Sequence, residues 1–307
     1  MLEDVPDIRT IDAAGAAKIV DAVKRYGVLV IETQPLSRAE QVEFSAKLGE
    51  VVILPPSFEG LDPEPGQPAI QRVTNYWSNG TWKGQKHSFG GYWHQDGQFW
   101  ARSHRWIFSM LVCAASPPVG GETGFADLRN SFATLDQESK HVASSAQITA
   151  SVRNIRDFTR NGVQAELDLF DDVDHPMIDT FPGAETSDID DDNVILYVGS
   201  PTMRLKGVDN DTLIPNIIDH ATHFAYYHKW KPGDIVIWDN VQTLHSARPY
   251  NNTEGIRREL YRTQFRLKPT QAHLDRMPQA QNRRPRWLNE DGSVKWLNKH
   301  GQLQSVA

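Results

Sequence analysis

Two histidines and one aspartate carry the clearest chemical signal in this 307-residue sequence. His94 and Asp96 stand two positions apart in the segment GYWHQDG (91–97), and His245 follows 149 positions after Asp96 (245 − 96). Side chains at i and i+2 of a strand share a face, so a strand here would place the imidazole and the carboxylate side by side. Two histidines and one carboxylate form the facial triad of non-haem Fe(II) oxygenases, which leaves three metal positions open. Taken alone, His94 and Asp96 could equally be an incidental surface pair.

The segment before His245 predicts a rigid support for this histidine. HKWKPGDIVIWDN (228–240) contains Pro-Gly-Asp, which is typical of a turn because Pro fixes one φ and Gly permits a positive φ. The β-branched run at 235–237 then has the composition of a buried strand. We therefore expect His245 just past the end of a strand. The alternative is a structural histidine of the core.

Two arginines occupy another predicted strand, RELYRTQF (258–265). The period of two places Arg258 and Arg262 on one face of it. Guanidinium groups buried on a strand face are costly unless an anion meets them, and their planar fork suits a carboxylate. For Arg258 the alternative is a structural ion pair with Glu259, and Arg262 could serve only to support Arg258.

With these residues in view, the sequence resembles the taurine dioxygenase family of Fe(II)/2-oxoglutarate-dependent oxygenases. The resemblance spans about residues 10 to 268 and is specific because several motifs occur in the family's order. The matching stretches are WHQDG (93–97), GGET (120–123), KPGD (231–234), WDN (238–240), His245 and RRELYR (257–262).

The resemblance implies a role for each of these positions. The triad of His94, Asp96 and His245 would bind Fe(II), with 2-oxoglutarate and O₂ as cosubstrates. Thr123 and Arg258 would bind the distal carboxylate of 2-oxoglutarate. Arg262 matches an arginine that in several members contacts an anionic group of the primary substrate.

Other positions bear on the substrate. The segment LPPSF (54–58) lacks the substrate-binding histidine of taurine-oxidising members, and Gly90 replaces their side-chain amide, which argues against taurine itself. Tyr76 and Phe99 flank the iron motif and are candidates for lining a substrate pocket. Core packing explains these two aromatic residues about as well.

The predicted activity is that of a dioxygenase. It would hydroxylate or desaturate a C–H bond of a small organic substrate, an acid if Arg262 binds an anion, and release succinate and CO₂. Two alternatives from other classes are a non-catalytic jelly-roll metal-binding protein and a zinc hydrolase on the same barrel. Neither alternative requires Arg258 or Thr123.

Composition limits the partners and the compartment. A net charge of −7 argues against a general nucleic-acid binder, and no apolar run has the length of a membrane span. The single cysteine, Cys113, excludes an internal disulfide framework and favours the reducing cytoplasm. The N-terminus lacks the apolar region of a signal peptide. A small molecule is therefore the expected partner, and a homo-oligomer stays open.

The expected fold is α+β with a mainly β core, a double-stranded β-helix (jelly roll, cupin-like) with flanking helices. Residues 1–268 would form one dioxygenase domain, since both halves of the chain must meet at one metal. Asp12 and the Ser-x-x-Glu sequence at Ser37 predict the starts of two N-terminal helices. The acidic, turn-rich segment 162–193 is predicted to be a lid-like loop, and residues 269–307 a polar, peripheral extension.

Overall fold

The structure is a computed structural model that describes residues 7–32, 34–55, 63–85, 90–154, 164–186, 193–200, 203–277, 284–304 and 306. None of the helices within these ranges is long and apolar enough to cross a membrane. The α-helices are α1 (Ala13–Tyr26), α2 (Arg38–Leu48), α3 (Leu128–Thr134), α4 (Gln137–Ser145), α5 (Gln164–Leu167), α6 (Leu213–Thr222) and α7 (Gln271–Asp275).

The strands pair in antiparallel fashion throughout these ranges. They are β1 (Val28–Ile31), β2 (Glu50–Val52), β3 (Pro63–Glu64), β4 (Gln67–Thr74), β5 (Ile107–Ala115), β6 (Thr123–Asp127), β7 (Gln147–Ala150), β8 (Val173–Pro176), β9 (Ile178–Thr180), β10 (Val194–Leu196), β11 (Arg204–Lys206), β12 (Tyr226–His228), β13 (Ile235–Asp239), β14 (Thr243–Ala247) and β15 (Glu259–Arg266).

The two N-terminal helices begin where the sequence predicts. The Asp12 carboxylate accepts a hydrogen bond from the backbone N–H of Gly15 at 2.8 Å. At α2 the Ser37 hydroxyl accepts from the N–H of Glu40, and the Glu40 carboxylate accepts from the N–H of Ser37. These contacts satisfy N–H groups that the first helical turn leaves without partners.

The largest sheet has the order β1-β13-β5-β15-β4-β3, and β2 also pairs with β15. Its alternating side chains face two different layers. Ile235 and Ile237 of β13 join the core beneath α1 and α2, whereas Val236 and Trp238 point to the opposite face. There they meet Phe125 of a small sheet with the order β12-β6-β14. The functional residues described below lie at this second face.

The segment 162–193 differs from the predicted loop in the part that is described. It contains α5, β8 and β9, while residues 162–163 and 187–192 lie outside the described ranges. Asp179 in this segment is buried with charged partners, since Arg102 and Arg105 both form ion pairs with it. Arg105 also donates to Nδ1 of His175 at 2.8 Å. The sequence predicted a solvated loop here. The charged partners of these polar residues lie about 75 positions earlier in the chain, so the local pattern does not reveal them.

The C-terminal segment also differs from the predicted peripheral extension. Trp287 and Trp296 are buried in an aromatic cluster with Trp100 and Phe170. The indole N–H of Trp296 donates to the carbonyl oxygen of Ile53 at 2.9 Å, which ties the segment to the N-terminal half. Isolated tryptophans in a polar stretch give no periodic signal, so this packing is not visible in the sequence.

The tryptophan cluster yields a stability prediction. Trp296→Ala removes a side chain with 0% exposure, and we expect it to lower the free energy of unfolding by about 3–5 kcal/mol. Trp77→Ala is the matched control because Trp77 is 49% exposed, and its effect should be within about 0.5 kcal/mol. Urea denaturation of the three proteins measures the difference. Equal midpoints for the Trp296 variant and the wild type would show that the segment does not contribute to the core.

Candidate metal centre

The structure brings His94, Asp96 and His245 together, although 149 positions separate the last two (245 − 96). Nε2 of His94 lies 3.7 Å from Oδ1 of Asp96, and Nε2 of His245 lies 3.8 Å from Oδ2. All three ligand atoms fall within 4.8 Å of one another. A metal at about 2.0–2.2 Å from each atom therefore fits with a small inward movement of the side chains.

The local structure at the triad corrects two details of the sequence prediction. His94 and Asp96 do not lie on a regular strand, because Asp96 already begins a turn. His94 instead forms an isolated bridge with His245, with N–H···O distances of 3.0 and 2.9 Å in the two directions. His245 lies within β14 rather than past a strand end. The bridge holds the two imidazole rings with their centroids 4.2 Å apart.

Three donors hold one oxygen of the Asp96 carboxylate. Oδ2 accepts from Nη1 of Arg262 at 2.9 Å, from Nε2 of Gln264 at 3.0 Å and from the Ser109 hydroxyl at 3.1 Å. Arg262 and Gln264 share a face of β15, and Ser109 is the cross-strand neighbour of Gln264 on β5. Oδ1 faces His94 and is thus the oxygen available to a metal.

The hydrogen bonds at Nδ1 distinguish the two histidines of the triad. Nδ1 of His94 lies 2.8 Å from the carbonyl oxygen of Tyr92, which can only accept, so the proton sits on Nδ1 and Nε2 carries the lone pair. Nδ1 of His245 is buried and has no hydrogen-bond partner in the described part of the chain. Nε2 of His245 lies on the Asp96 side of the ring, so it is the nitrogen that faces the triad.

Electrostatics at the triad favour the same protonation states. Burial lowers the pKa of both His94 and His245, so both imidazoles are neutral at pH 7. Burial alone would raise the pKa of Asp96, but the Arg262 guanidinium and the two histidines outweigh it and hold the pKa below its ordinary value. Two neutral imidazoles and one carboxylate are the forms that bind metal.

Gln95, between His94 and Asp96, fixes the main chain of the WHQDG segment (93–97). Its Nε2 donates to the carbonyl oxygens of Asn240 and Val241, both at 3.0 Å. Its Oε1 accepts from the N–H groups of Val198 and Gly199 at 3.1 and 2.8 Å. All four hydrogen-bonding sites of this fully buried amide are used, so it joins three distant segments at the metal centre.

A buried arginine lies beside the predicted threonine. Nε of Arg258 donates to the carbonyl oxygen of Gly121 at 3.0 Å, and Nη2 reaches the Thr123 hydroxyl at 3.5 Å. The same hydroxyl accepts from the Trp230 indole at 3.0 Å. Within the described ranges Arg258 forms no salt bridge, and burial lowers its pKa. A buried cation without a carboxylate partner is costly, so the surroundings of Arg258 suit an external anion.

A cavity of about 260 Å³ borders this arginine. Val73 lines it and also belongs to the core cluster that contains Trp238. The Trp238 ring lies 4.9 Å from the His245 ring, measured between centroids. Gly91 and Ala247, which stand three and two positions from His94 and His245, also line the cavity, although its described lining includes none of the triad side chains.

The three predicted substrate residues have different surroundings. Nε and Nη2 of Arg262 donate to Oε1 of Gln71, its cross-strand neighbour, while Nη1 donates to Asp96, so all three nitrogens bind acceptors of the protein itself. Phe99 packs edge-on against Phe170 with centroids 5.4 Å apart. The Tyr76 hydroxyl accepts from the N–H of Gly255 at 2.7 Å. All of these contacts are made within the protein, and the substrate roles of the three residues stay predictions.

Sequence reasoning missed several residues of the site. Ser109 and Gln264 both donate to Asp96. Ser109 is the one hydroxyl in the otherwise apolar strand IFSMLVCAA (107–115), and that contrast was the available signal. Gln264 gave no such signal, because its strand contains several other polar residues. Gln95 stands inside the WHQDG motif and Trp230 directly before the KPGD motif, but their hydrogen bonds to distant segments have no counterpart in sequence spacing.

An antiparallel sheet with flanking helices brings together two histidines and one carboxylate, which is the ligand set of a mononuclear facial-triad metal centre. The model of the family described as "Taurine catabolism dioxygenase TauD, TfdA family" matches residues 3–264. The chain belongs to this family, which confirms the resemblance seen in its motifs.

Individual relatives agree with this assignment. The chain is 25% identical over 292 residues to the alpha-ketoglutarate-dependent 2,4-dichlorophenoxyacetate dioxygenase of Cupriavidus pinatubonensis, covering 84% of this chain and 92% of that one. It is 27% identical over 258 residues to the (S)-phenoxypropionate/alpha-ketoglutarate-dioxygenase of Sphingobium herbicidovorans, covering 80% and 84%. Among solved structures, AAD-2 in complex with Mn(II) and N-oxalylglycine superposes with a TM-score of 0.69 at 24% identity, covering 88% of this chain and 95% of that one. A taurine dioxygenase from Burkholderia xenovorans gives 0.65 at 22%, covering 95% and 89%.

The hydrogen bonds to Asp96 yield a prediction about metal affinity. Gln264→Leu removes one of the three donors to Oδ2, and the carboxylate can then rotate away from the metal. We expect Mn(II) binding to weaken by about tenfold, which electron paramagnetic resonance of unbound Mn(II) measures. Gln137→Leu, at an exposed helix position, is the control. Unchanged Mn(II) affinity in the Gln264 variant would mean that the other two donors suffice.

Proposed function

We propose that this protein is an Fe(II)- and 2-oxoglutarate-dependent dioxygenase that oxidises a C–H bond of a small organic acid. The observation that carries the proposal is the combination of the metal triad with Arg258, a buried guanidinium that has Thr123 beside it and no carboxylate partner in the described chain. A metal site alone would not require that cation. A cosubstrate with a carboxylate at its far end does.

The residues of the triad would hold the metal through Nε2 of His94, Oδ1 of Asp96 and Nε2 of His245. Bound Fe(II) supplies the redox chemistry, in which O₂ and 2-oxoglutarate give succinate and CO₂ while one C–H bond of the substrate is oxidised. The protein contributes orientation: Arg262, Gln264 and Ser109 donate to one oxygen of Asp96 and so fix the carboxylate. Burial of the site limits access of water.

Arg258 and Thr123 would bind the distal carboxylate of 2-oxoglutarate. The guanidinium and the hydroxyl lie 3.5 Å apart, so one carboxylate can meet both. Trp230 donates to the Thr123 oxygen, which directs the hydroxyl proton outward toward an acceptor. N-Oxalylglycine, bound in the AAD-2 structure, has the same two carboxylates as 2-oxoglutarate at a similar separation.

The relatives named for 2,4-dichlorophenoxyacetate and (S)-phenoxypropionate support an acid as the primary substrate. The described cavity beside Arg258 is bordered by arginine, amide and phenol groups, which also suits an acid. Gly90 adds space, since a Cβ at this position would stand 3.6 Å from Cε1 of His94. A substrate larger than taurine fits this arrangement.

Two alternatives predict different behaviour. A zinc hydrolase or a non-catalytic metal-binding module would keep the triad, but neither accounts for Arg258 and Thr123. Family membership favours the dioxygenase.

The same proposal extends to architecture and setting. The two facing sheets form a double-stranded β-helix, residues 1–268 are one dioxygenase domain, and part of 162–193 covers the site as a lid. The protein acts in the cytoplasm on a small molecule, without nucleic acid or membrane, and a homo-oligomer is compatible with this role. Size-exclusion chromatography with light scattering tests the oligomeric state.

The central test measures succinate formation and oxygen uptake with Fe(II), 2-oxoglutarate and a panel of organic acids. We expect activity in the wild type and none in His245→Ala, because two protein ligands hold iron poorly. The variant should keep its circular dichroism spectrum, since the main-chain bridge to His94 does not involve the imidazole. Activity with Zn(II) in place of Fe(II), or full activity of the variant, would refute the dioxygenase.

A second test addresses the cosubstrate residue. Arg258→Lys keeps the charge but loses the planar fork, so the KM for 2-oxoglutarate should rise by about tenfold or more with a smaller effect on kcat. Arg257→Lys is the control, because Arg257 is exposed and pairs with Glu259. Equal KM values in the two variants would place the distal carboxylate elsewhere.

A further inference from the structure

A second arginine borders the same cavity as Arg258. Arg248 stands three positions after the metal ligand His245 and is exposed, whereas Arg258 is buried. The two cations therefore mark the outer and the inner end of one cavity. Its described lining contains no carboxylate that would neutralise either of them.

The side chain of Arg248 packs on an aromatic ring but has no acidic partner among the described residues. Its guanidinium carbon lies 4.9 Å from the centroid of the Tyr227 ring, and its backbone N–H donates to the carbonyl oxygen of Glu122 at 2.8 Å. Within the described part of the chain it forms no ion pair with an acidic side chain. An arginine stacked on an aromatic ring keeps its N–H groups directed outward and ready for a planar anion.

The wall between the two arginines is rigid. Nδ2 of Asn75 donates to Oδ1 of Asn252 at 2.8 Å, and Nδ2 of Asn252 donates to the carbonyl oxygen of Gly84 at 3.1 Å. Tyr250 completes the wall, and burial raises the pKa of its phenol, which therefore remains a hydrogen-bond donor at pH 7. These hydrogen bonds use the amide donors within the protein and fix the wall, so the phenol of Tyr250 and the guanidinium of Arg248 are the donors that face a ligand.

The other cation near the metal is already occupied. Arg262 uses Nε and Nη2 on Gln71 and Nη1 on Asp96. Transferring it to a substrate anion would remove a donor from the metal-binding carboxylate. Binding of a substrate anion by Arg248 would remove no donor from Asp96.

We propose that Arg248 binds the carboxylate of the primary substrate at the outer end of this cavity and so determines the preference for acids. The inference rests on the proposed function, in which Arg258 at the inner end binds the cosubstrate. It assigns the distal carboxylate of 2-oxoglutarate to Arg258 and the carboxylate of the primary substrate to Arg248.

The test compares three acids with their neutral amides. Phenoxyacetate, phenylacetate and hexanoate, each paired with its amide, are titrated into protein loaded with Mn(II) and 2-oxoglutarate, and the dissociation constants are measured by calorimetry. We expect the wild type to bind at least one acid more tightly than its amide. Arg248→Ala should weaken that acid by about tenfold or more and leave the amide unaffected, since a charge-assisted hydrogen bond is lost. Arg248→Lys should restore part of the preference. Arg204→Ala, an exposed arginine on β11, should behave as the wild type.

Three results would overturn the assignment. The first is a wild type without preference for any acid, and the second is unchanged acid binding in Arg248→Ala. The third is an equal loss of 2-oxoglutarate affinity in that variant, which would place Arg248 in the cosubstrate site. Failure of the proposed function is distinguishable, because it appears as absent succinate formation in the wild type, whereas these binding measurements need no turnover.

Discussion

The pair of main-chain hydrogen bonds between His94 and His245 is the constraint on which the rest of the site depends. It joins two segments that are far apart in sequence and fixes the two imidazoles on the same side of the interior. The side chain of Gln95 then ties this bridge to the turn at 240–241 and to the backbone at 198–199. Because these bonds are made by backbone and amide groups, the geometry of the ligands is set by the fold before any metal binds.

Two buried arginines of the site, Arg262 and Arg258, differ in how their charges are balanced. Asp96 is the only carboxylate of the triad, and its charge is balanced by Arg262 and by whatever metal the site holds. Arg258 has no such balance within the described chain. Of these two buried arginines, Arg262 completes an internal pair, whereas Arg258 has no anionic partner in the described chain and is available to a ligand.

Sequence patterns predicted the parts of this molecule that are local or carried by motifs. The caps at Asp12 and Ser37, the central strands and the triad itself follow from periodicity and from spacing within the family motifs. The packing of Trp296 and the burial of Asp179 did not follow, because each depends on partners more than 70 positions away. The polar character of both segments is the pattern of a solvated loop until those partners are known.

Arg258 and Arg262 show why spacing alone could not assign their roles. The sequence predicts both on one face of the same strand, so the period of two treats them alike, but β15 begins at Glu259, directly after Arg258. Their cross-strand neighbours differ: Arg262 stands opposite Gln71 and beside Asp96, whereas Arg258, at the strand entrance, lies against Gly121 and Thr123. A guanidinium has the same chemistry in both places, and the acceptors already within its reach decide whether it serves the protein or a ligand. Roles of charged residues on a buried sheet face therefore follow from the occupancy of their donors, which only the assembled sheet reveals.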